Sequence, residues 1–291
     1  VHIKLDTGMN RLGFTVQTDE QIAEAVEDIL RVSSDSSLKC EGIFTHFACA
    51  DSDGAEDGDG TRASDASLTA IQFDRFSRTA ALLEQRGLVI PKKHVCNSAA
   101  AVRFPAYALN AVRLGVLLYG INPMENGRDL HLRPVMRLCT VVSHLHTPAP
   151  GESVSYGAAC ISQGERTLAT LPIGYADGFL RAYEGAEVTV YTAAGPVSVP
   201  LVGRICMDQC MADVTGLPVR IGDRVVLFGD KPEALSLLAS RADTIPYESL
   251  CLVSARVPRI TQGPEPAAGN APAAGVFYSI SAVLGLSQSK L

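Results

Sequence analysis

Four apolar runs in the first part of the chain each end at a group that could do chemistry. Arg11, His46, Ser98 and Gly115 follow stretches that read as strands, and Arg113 lies inside the last of them. A guanidinium, an imidazole, a hydroxyl and a glycine turn suit an anionic cofactor or substrate. Ser98 and the backbone N–H groups around Gly115 and Val116 could cradle a phosphate, because glycine lets the backbone come close. Serine and glycine are common in such loops, so that signal is unspecific by itself. Arg113 says more. A guanidinium in an apolar strand is costly unless it meets a specific acceptor, which a structural ion pair or a functional contact would supply equally well.

The elements that must hold these groups alternate. Val1-His2-Ile3-Lys4-Leu5 reads as a buried strand running into the turn Asp6-Thr7-Gly8. Thr18-Asp19-Glu20-Gln21 fits a capping box, and Ile22, Val26, Ile29 and Leu30 then share one helical face. Gly42-Ile43-Phe44-Thr45-His46-Phe47 is a second strand, and Phe73, Phe76, Ala80 and Leu83 mark a helix that Gly87 can terminate. His94-Val95-Cys96 gives a third strand and Ala111-Val112-Arg113-Leu114 a fourth. Strand, helix, strand, helix is the pattern of a parallel sheet or barrel, whose chemistry gathers at the carboxyl ends of the strands.

After Pro123 the pattern changes to β-branched runs between glycine and proline turns, at 140–145, 168–173, 187–191, 197–202 and 225–228. The expected organisation is therefore an α/β domain over 1–131, a mainly β domain over 132–261, and a linker and tail over 262–291 rich in Pro, Ala and Gly at 263–275. The acidic insertion at 51–65 invites a calcium reading, but its spacing misses the EF-hand pattern and it reads as a solvated loop.

Composition narrows the function classes. The 291 residues are 47% hydrophobic and 19% charged, which describes a globular chain. A net charge of -6 argues against a nucleic-acid partner, which would require clustered Lys and Arg. No apolar run reaches the roughly 20 residues of a membrane helix. The eight cysteines are scattered without a Cys-x-x-Cys pair or a ligand cluster, which predicts no metal site and a reducing, cytoplasmic compartment.

Longer motifs then carry a resemblance. Lys4-Leu5-Asp6-Thr7-Gly8-Met9-Asn10-Arg11-Leu12-Gly13, Thr45-His46-Phe47-Ala48, Asn97-Ser98-Ala99-Ala100 and Arg113-Leu114-Gly115-Val116-Leu117-Leu118-Tyr119-Gly120 closely resemble successive motifs of alanine racemase. Val154-Ser155-Tyr156-Gly157-Ala158, Pro172-Ile173-Gly174-Tyr175-Ala176-Asp177-Gly178, Val202-Gly203-Arg204-Ile205-Cys206-Met207-Asp208-Gln209 and Arg256-Val257-Pro258-Arg259 follow in the family's order. The resemblance implies a fold: the C-terminal half of a (β/α)8 TIM barrel followed by a mainly β domain. It also implies pyridoxal 5'-phosphate as cofactor, alanine as substrate and a homodimer with shared active sites.

The same resemblance assigns roles. Racemisation needs a base on each face of the cofactor, and Tyr156 matches the tyrosine that takes the proton from L-alanine. A phenol, with a pKa of about 10 in water, is a poor base unless its anion is stabilised. His46 matches the histidine that provides this, linked in turn to Arg113. Arg113 matches the arginine facing the pyridine nitrogen, where a group that can only donate leaves that nitrogen unprotonated. Ser98, Gly115, Val116 and Tyr247 match phosphate contacts. Arg11 matches the arginine that reaches the cofactor's phenolic oxygen and the substrate carboxylate. Lys4 matches a lysine carbamylated in many members. Tyr175 and Met207 match residues of the substrate-access and carboxylate site, contributed with Tyr156 by the partner subunit.

One family feature has no counterpart. The lysine that joins the cofactor as a Schiff base, and serves as the second base, lies in an Ala-Asn-Ala-Tyr-Gly-like context absent from this sequence. Lys39, Lys92, Lys93, Lys231 and Lys290 stand in other surroundings. The expectation is an N-terminally truncated racemase sequence that is inactive by itself. Two alternatives stand beside it: an inactive racemase-like fragment with a structural or dimer-forming role, and a racemase for another amino acid such as serine.

Overall fold

A computed structural model describes residues 1–51, 65–124, 130–158, 160–161 and 164–261. The acidic insertion and the 263–291 tail lie outside the described residues, apart from the ends of the former. Two units divide the described residues: Val1–Leu118 with Asn122–Leu130, and Tyr119–Ile121 with 131–261. Among the described residues no helix is long and apolar enough to cross a membrane.

The first unit carries a parallel sheet. Its strands are β1 (His2–Asp6) and β2 (Phe14–Thr15), then β3 (Gly42–Phe44) after helix α1 (Asp19–Ser33), then β4 (Lys92–His94) after helix α2 (Asp65–Gln85). The short helix α3 (Ser98–Arg103) follows, and the sheet order is β2-β1-β3-β4. Helix α1 starts at a complete capping box, in which Thr18 and Gln21 satisfy each other's backbone N–H groups. Its buried stripe of Ile22, Ala25, Val26 and Ile29 follows the helical period. Gly87 ends α2 in the left-handed region (φ +90°), which lets Leu88 N–H reach back to the Leu83 carbonyl at 2.9 Å. Leu5, Ile43 and Val95 meet Phe76 and Leu83 in the core.

Some expected strands close early because side chains take the ladder's place. β3 stops at Phe44, and the Thr45 hydroxyl donates to the Leu5 carbonyl at 3.0 Å. The strand expected at Ala111-Val112-Arg113-Leu114 does not form. Asn110 and Arg113 N–H groups do bond the Lys93 and Cys96 carbonyls at 3.0 Å. The flanking N–H groups go to side chains instead: Lys93 N–H to Asn110 Oδ1 at 2.9 Å and Gly115 N–H to Ser98 Oγ at 2.8 Å. β2 is too short to show periodicity in the sequence. It pairs parallel to β1 directly after the Arg11 loop, and Gly13 (φ +116°) allows the return, since a Cβ there would lie 2.7 Å from the Lys4 carbonyl oxygen.

The second unit is mainly antiparallel. Its strands are β5 (Leu138–Val141), β6 (His144–His146), β7 (Ser153–Val154), β8 (Cys160–Ile161), β9 (Leu168–Leu171), β10 (Glu187–Thr192), β11 (Gly195–Val202), β12 (Cys210–Asp213) and β13 (Arg224–Phe228). Seven of them form one sheet in the order β5-β13-β10-β11-β12-β9-β6, while β7 and β8 pair separately. The run expected as one strand at 140–145 is two. Val142 N–H bonds the Asp223 carbonyl and Ser143 N–H the Thr170 carbonyl, both at 2.9 Å, so consecutive strands join opposite edges and the sheet curls. Helices α4 (Ala234–Arg241) and α5 (Pro246–Leu252) follow, with the buried Tyr183 hydroxyl donating to Ser249 Oγ at 3.0 Å.

Candidate functional site

In the first unit the chemistry converges on Arg113. Nη1 donates to the His94 carbonyl at 3.0 Å and to His94 Nδ1 at 2.8 Å. Nη2 donates to the Thr45 carbonyl at 2.8 Å, the Val95 carbonyl at 3.2 Å and His46 Nδ1 at 3.3 Å. Among the described residues its acceptors are thus two strand-end backbones and two imidazoles, with no carboxylate. The guanidinium also lies over the Phe44 ring, 5.3 Å from its centroid. Because a guanidinium only donates, both imidazoles must accept at Nδ1 and carry their proton on Nε2. Burial, followed by the charge of Arg113, lowers the pKa of each to about 4, so both are neutral near pH 7.

Ser98 stands at the start of α3 behind Asn97, whose side chain accepts the Ala100 N–H at 2.9 Å. Ser98 is buried, and by accepting from Gly115 N–H it keeps its own proton to give. Val116 opens a single 3-10 turn, Val116–Tyr119, immediately after Gly115. Ser98, Gly115 and Val116 therefore meet. Arg11 is exposed in the loop after β1. Lys4 Nζ donates to the Leu12 carbonyl at 2.7 Å beside it, and burial lowers the lysine's pKa against the opposing pull of Asp6.

Three further residues shape these loops, and two of them, Gln72 and Arg75, lie outside every motif quoted above. Asp6 Oδ1 accepts the N–H groups of Gly8, Met9 and Asn10 at 3.0–3.1 Å, folding the loop that carries Arg11. Gln72, fully buried on α2, donates to the His46 carbonyl and Thr7 Oγ1 at 3.2 Å and accepts from Ala48 N–H at 2.9 Å. Arg75, one turn along, donates to the Thr7 carbonyl at 2.7 Å. The available signal was a polar Gln on the apolar face of a helix.

The second unit gathers another set. Tyr156, Tyr175 and Met207 are exposed, at 69%, 44% and 55%. Tyr175 and Ala176 N–H groups bond the Cys206 and Met207 carbonyls at 3.1 and 3.0 Å, joining those two loops. The turn of Tyr156 is tied to the same region, since Ser155 Oγ donates to the Arg204 carbonyl at 2.7 Å. Tyr247 lies in the first turn of α5 and is 39% exposed.

Comparison with known proteins fits both units. The N-terminal domain of alanine racemase matches residues 1–123 and its C-terminal domain matches residues 135–261. The Methanococcus maripaludis alanine racemase is 41% identical over 266 residues, covering 89% of this chain and 66% of its own length. That of Desulforamulus reducens is 39% identical over 267 residues, covering 90% and 67%.

This chain belongs to the alanine racemase family.

The solved alanine racemase of Clostridium difficile 630 superimposes with a TM-score of 0.76 at 36% identity, covering 88% of this chain and 63% of that one. The fold is accordingly the alanine racemase fold, an α/β barrel domain and a mainly β domain. The chain spans about two thirds of the length of these relatives, from 63% to 67%. Enzymes of this family depend on pyridoxal phosphate. The donor set here fits that group: a buried hydroxyl with a proton to give, a helical turn opening on Val116, and a fixed guanidinium for a ring acceptor.

Proposed function

We propose that this chain supplies most of the site of a pyridoxal-phosphate alanine racemase, interconverting L- and D-alanine. The observation that carries the reading is the Arg113 hub. Both of its terminal nitrogens are committed to the Thr45, His94 and Val95 carbonyls and to two imidazoles, leaving Nε as the N–H without a protein partner among the described residues. The solved relatives include a Clostridium difficile 630 complex with cycloserine and a Bacillus anthracis enzyme with bound L-Ala-P.

Bound pyridoxal phosphate acts as an electron sink for the Cα of the amino acid. Arg113 Nε–H would donate to its ring nitrogen without protonating it, which weakens the sink and restrains side reactions. Ser98 Oγ–H and the N–H groups at Gly115 and Val116, with Tyr247, would hold its phosphate. Arg11 would hold the substrate carboxylate, with Tyr175 and Met207 shaping access. Lys4, its ammonium destabilised by burial, is suited to carbamylation, which would set it against Arg11. His46 Nε2–H would donate to the Tyr156 phenolate, making that oxygen a competent base for the Cα proton of L-alanine. The exposure of Tyr156, Tyr175 and Met207 favours their presentation to the other subunit of a homodimer.

The family lysine that anchors the cofactor has no match here. Lys4 donates to the Leu12 carbonyl, and Lys39 and Lys93 pair with Glu41 and Glu84. The chain alone should therefore not racemise alanine, which keeps a second reading, a fragment with a structural or dimer-forming role. A chimera decides between them: the segment of the Methanococcus maripaludis enzyme that precedes its match to Val1 is joined ahead of Val1. Racemisation by the chimera and not by the chain supports the proposal, and preference for serine would reassign the substrate. A folded, cofactor-loaded chimera without turnover on either amino acid would sink it.

A further inference from the structure

The motif Arg256-Val257-Pro258-Arg259 lies outside every role assigned above, yet its first residue bridges the two loops that carry Tyr175 and Met207. Arg256 Nε donates to Asp177 Oδ1 at 2.6 Å and Nη2 donates to Asp208 Oδ1 at 2.5 Å. Asp177 is nearly buried and its other oxygen accepts Gly174 N–H at 2.9 Å, so one carboxylate holds both ends of the turn that displays Tyr175. Asp208 directly follows Met207. The two loops are pressed together at Gly174, where a Cβ would stand 2.2 Å from the Cys206 carbonyl oxygen.

The platform under Arg256 is itself fixed. Arg259 donates to the Val253 and Val257 carbonyls at 2.7 Å and also to that of Ser254, while Ser254 N–H bonds the Asp177 carbonyl at 2.9 Å. The hydrogen bonds to Asp177 and Asp208 raise the pKa of Arg256, as expected of a doubly paired guanidinium. Surface ion pairs add little stability. Their contribution here is geometric: a planar fork reaches two carboxylates on separate loops from fixed N–H directions, whereas an ammonium on a flexible stem fixes no such angle between them.

We propose that Arg256 is a positioning residue, a clamp that fixes Tyr175 and Met207 relative to each other for the substrate through Asp177 and Asp208. The proposal rests on reading those two residues as substrate-facing. Its test uses Arg256→Gln and Arg256→Lys in the purified chain, followed by amide hydrogen exchange at Tyr175 and Ala176 and by the methyl NMR signal of Met207. Exchange at those two amides should accelerate about tenfold or more in both variants, the Met207 signal should shift or broaden, and β10 and β11 should keep their protection.

In the chimera described above, the same substitutions should raise the alanine KM about tenfold and lower kcat less than threefold. Unchanged exchange at Tyr175 and Ala176, or acceleration spread equally over the whole sheet, overturns the clamp. Faster local exchange with an unaltered KM overturns its role toward substrate. The exchange measurement needs neither cofactor nor alanine, so a chimera without turnover would count against the racemase reading while the clamp is still scored.

Discussion

Arg113 donates to Nδ1 of His94 across 2.8 Å, and that bond sets the protonation of a second histidine. With Nδ1 accepting, His94 carries its proton on Nε2 and gives it to His2 Nδ1 at 2.9 Å. Stacking on Phe44, with ring centroids 5.0 Å apart, holds the imidazole in that orientation. A proton added to His94 at Nδ1 would remove the acceptor and set two cations side by side.

Acid should therefore weaken the first unit within a defined window. For His46 and His94 the folded pKa, about 4, lies below the ordinary 6.5, so the unfolded chain takes protons first. Their contribution to stability is complete above pH 6.5, is lost as pH falls from there towards about 4, and changes no further below that. Urea unfolding between pH 8 and pH 3.5 reads this directly, on the order of four points sufficing. His94→Gln, which can accept from Arg113 and donate to His2 without titrating, should flatten part of the slope.

Arg113→Lys keeps a charge and loses the fork. The Thr45, His94 and Val95 carbonyls would share one ammonium, and a destabilisation of about 2–4 kcal/mol is expected in denaturant unfolding. Fluorescence titration with pyridoxal phosphate would separately show whether ring recognition is lost.

Gln72→Leu conserves volume but deprives the His46 carbonyl, Thr7 and Ala48 N–H of their shared partner. A cost of about 2–3 kcal/mol is expected, with faster amide exchange at Ala48 as the local sign. An unchanged exchange rate there would mean that the helix contact does not hold the His46 loop.

Ser98→Ala removes both the acceptor of Gly115 N–H and the proton available to an anion. Affinity of the loaded site for pyridoxal phosphate should fall about tenfold, roughly 1.4 kcal/mol. Pyridoxal without its phosphate should show no comparable loss, which separates phosphate binding from general damage.

Much of this arrangement was legible in the sequence where local chemistry is decisive. The Thr18 capping box, the Gly87 helix end and the apolar stripe of α1 each follow from neighbours along the chain. Strand ends were harder to read, because Ser98 and Asn110 intercept backbone N–H groups from residues 17 positions away. The shape of the Arg11 loop depends on Asp6, and that of the His46 loop on Gln72, which approaches from a different element. Arg256 illustrates the same limit: its motif is recognisable, while its partners Asp177 and Asp208 are 79 and 48 residues distant.

The curled sheet of the second unit has a kinetic consequence. β5 is made early, but its partner β13 is translated some 80 residues later, and the strands between them must first be laid side by side. Such distant pairing slows folding, because loop-closure entropy is lost before contacts repay it. On a ribosome, Leu138–Val141 emerges long before it has anything to bind, so this domain reaches its native state only after Arg224–Phe228 has left the exit tunnel.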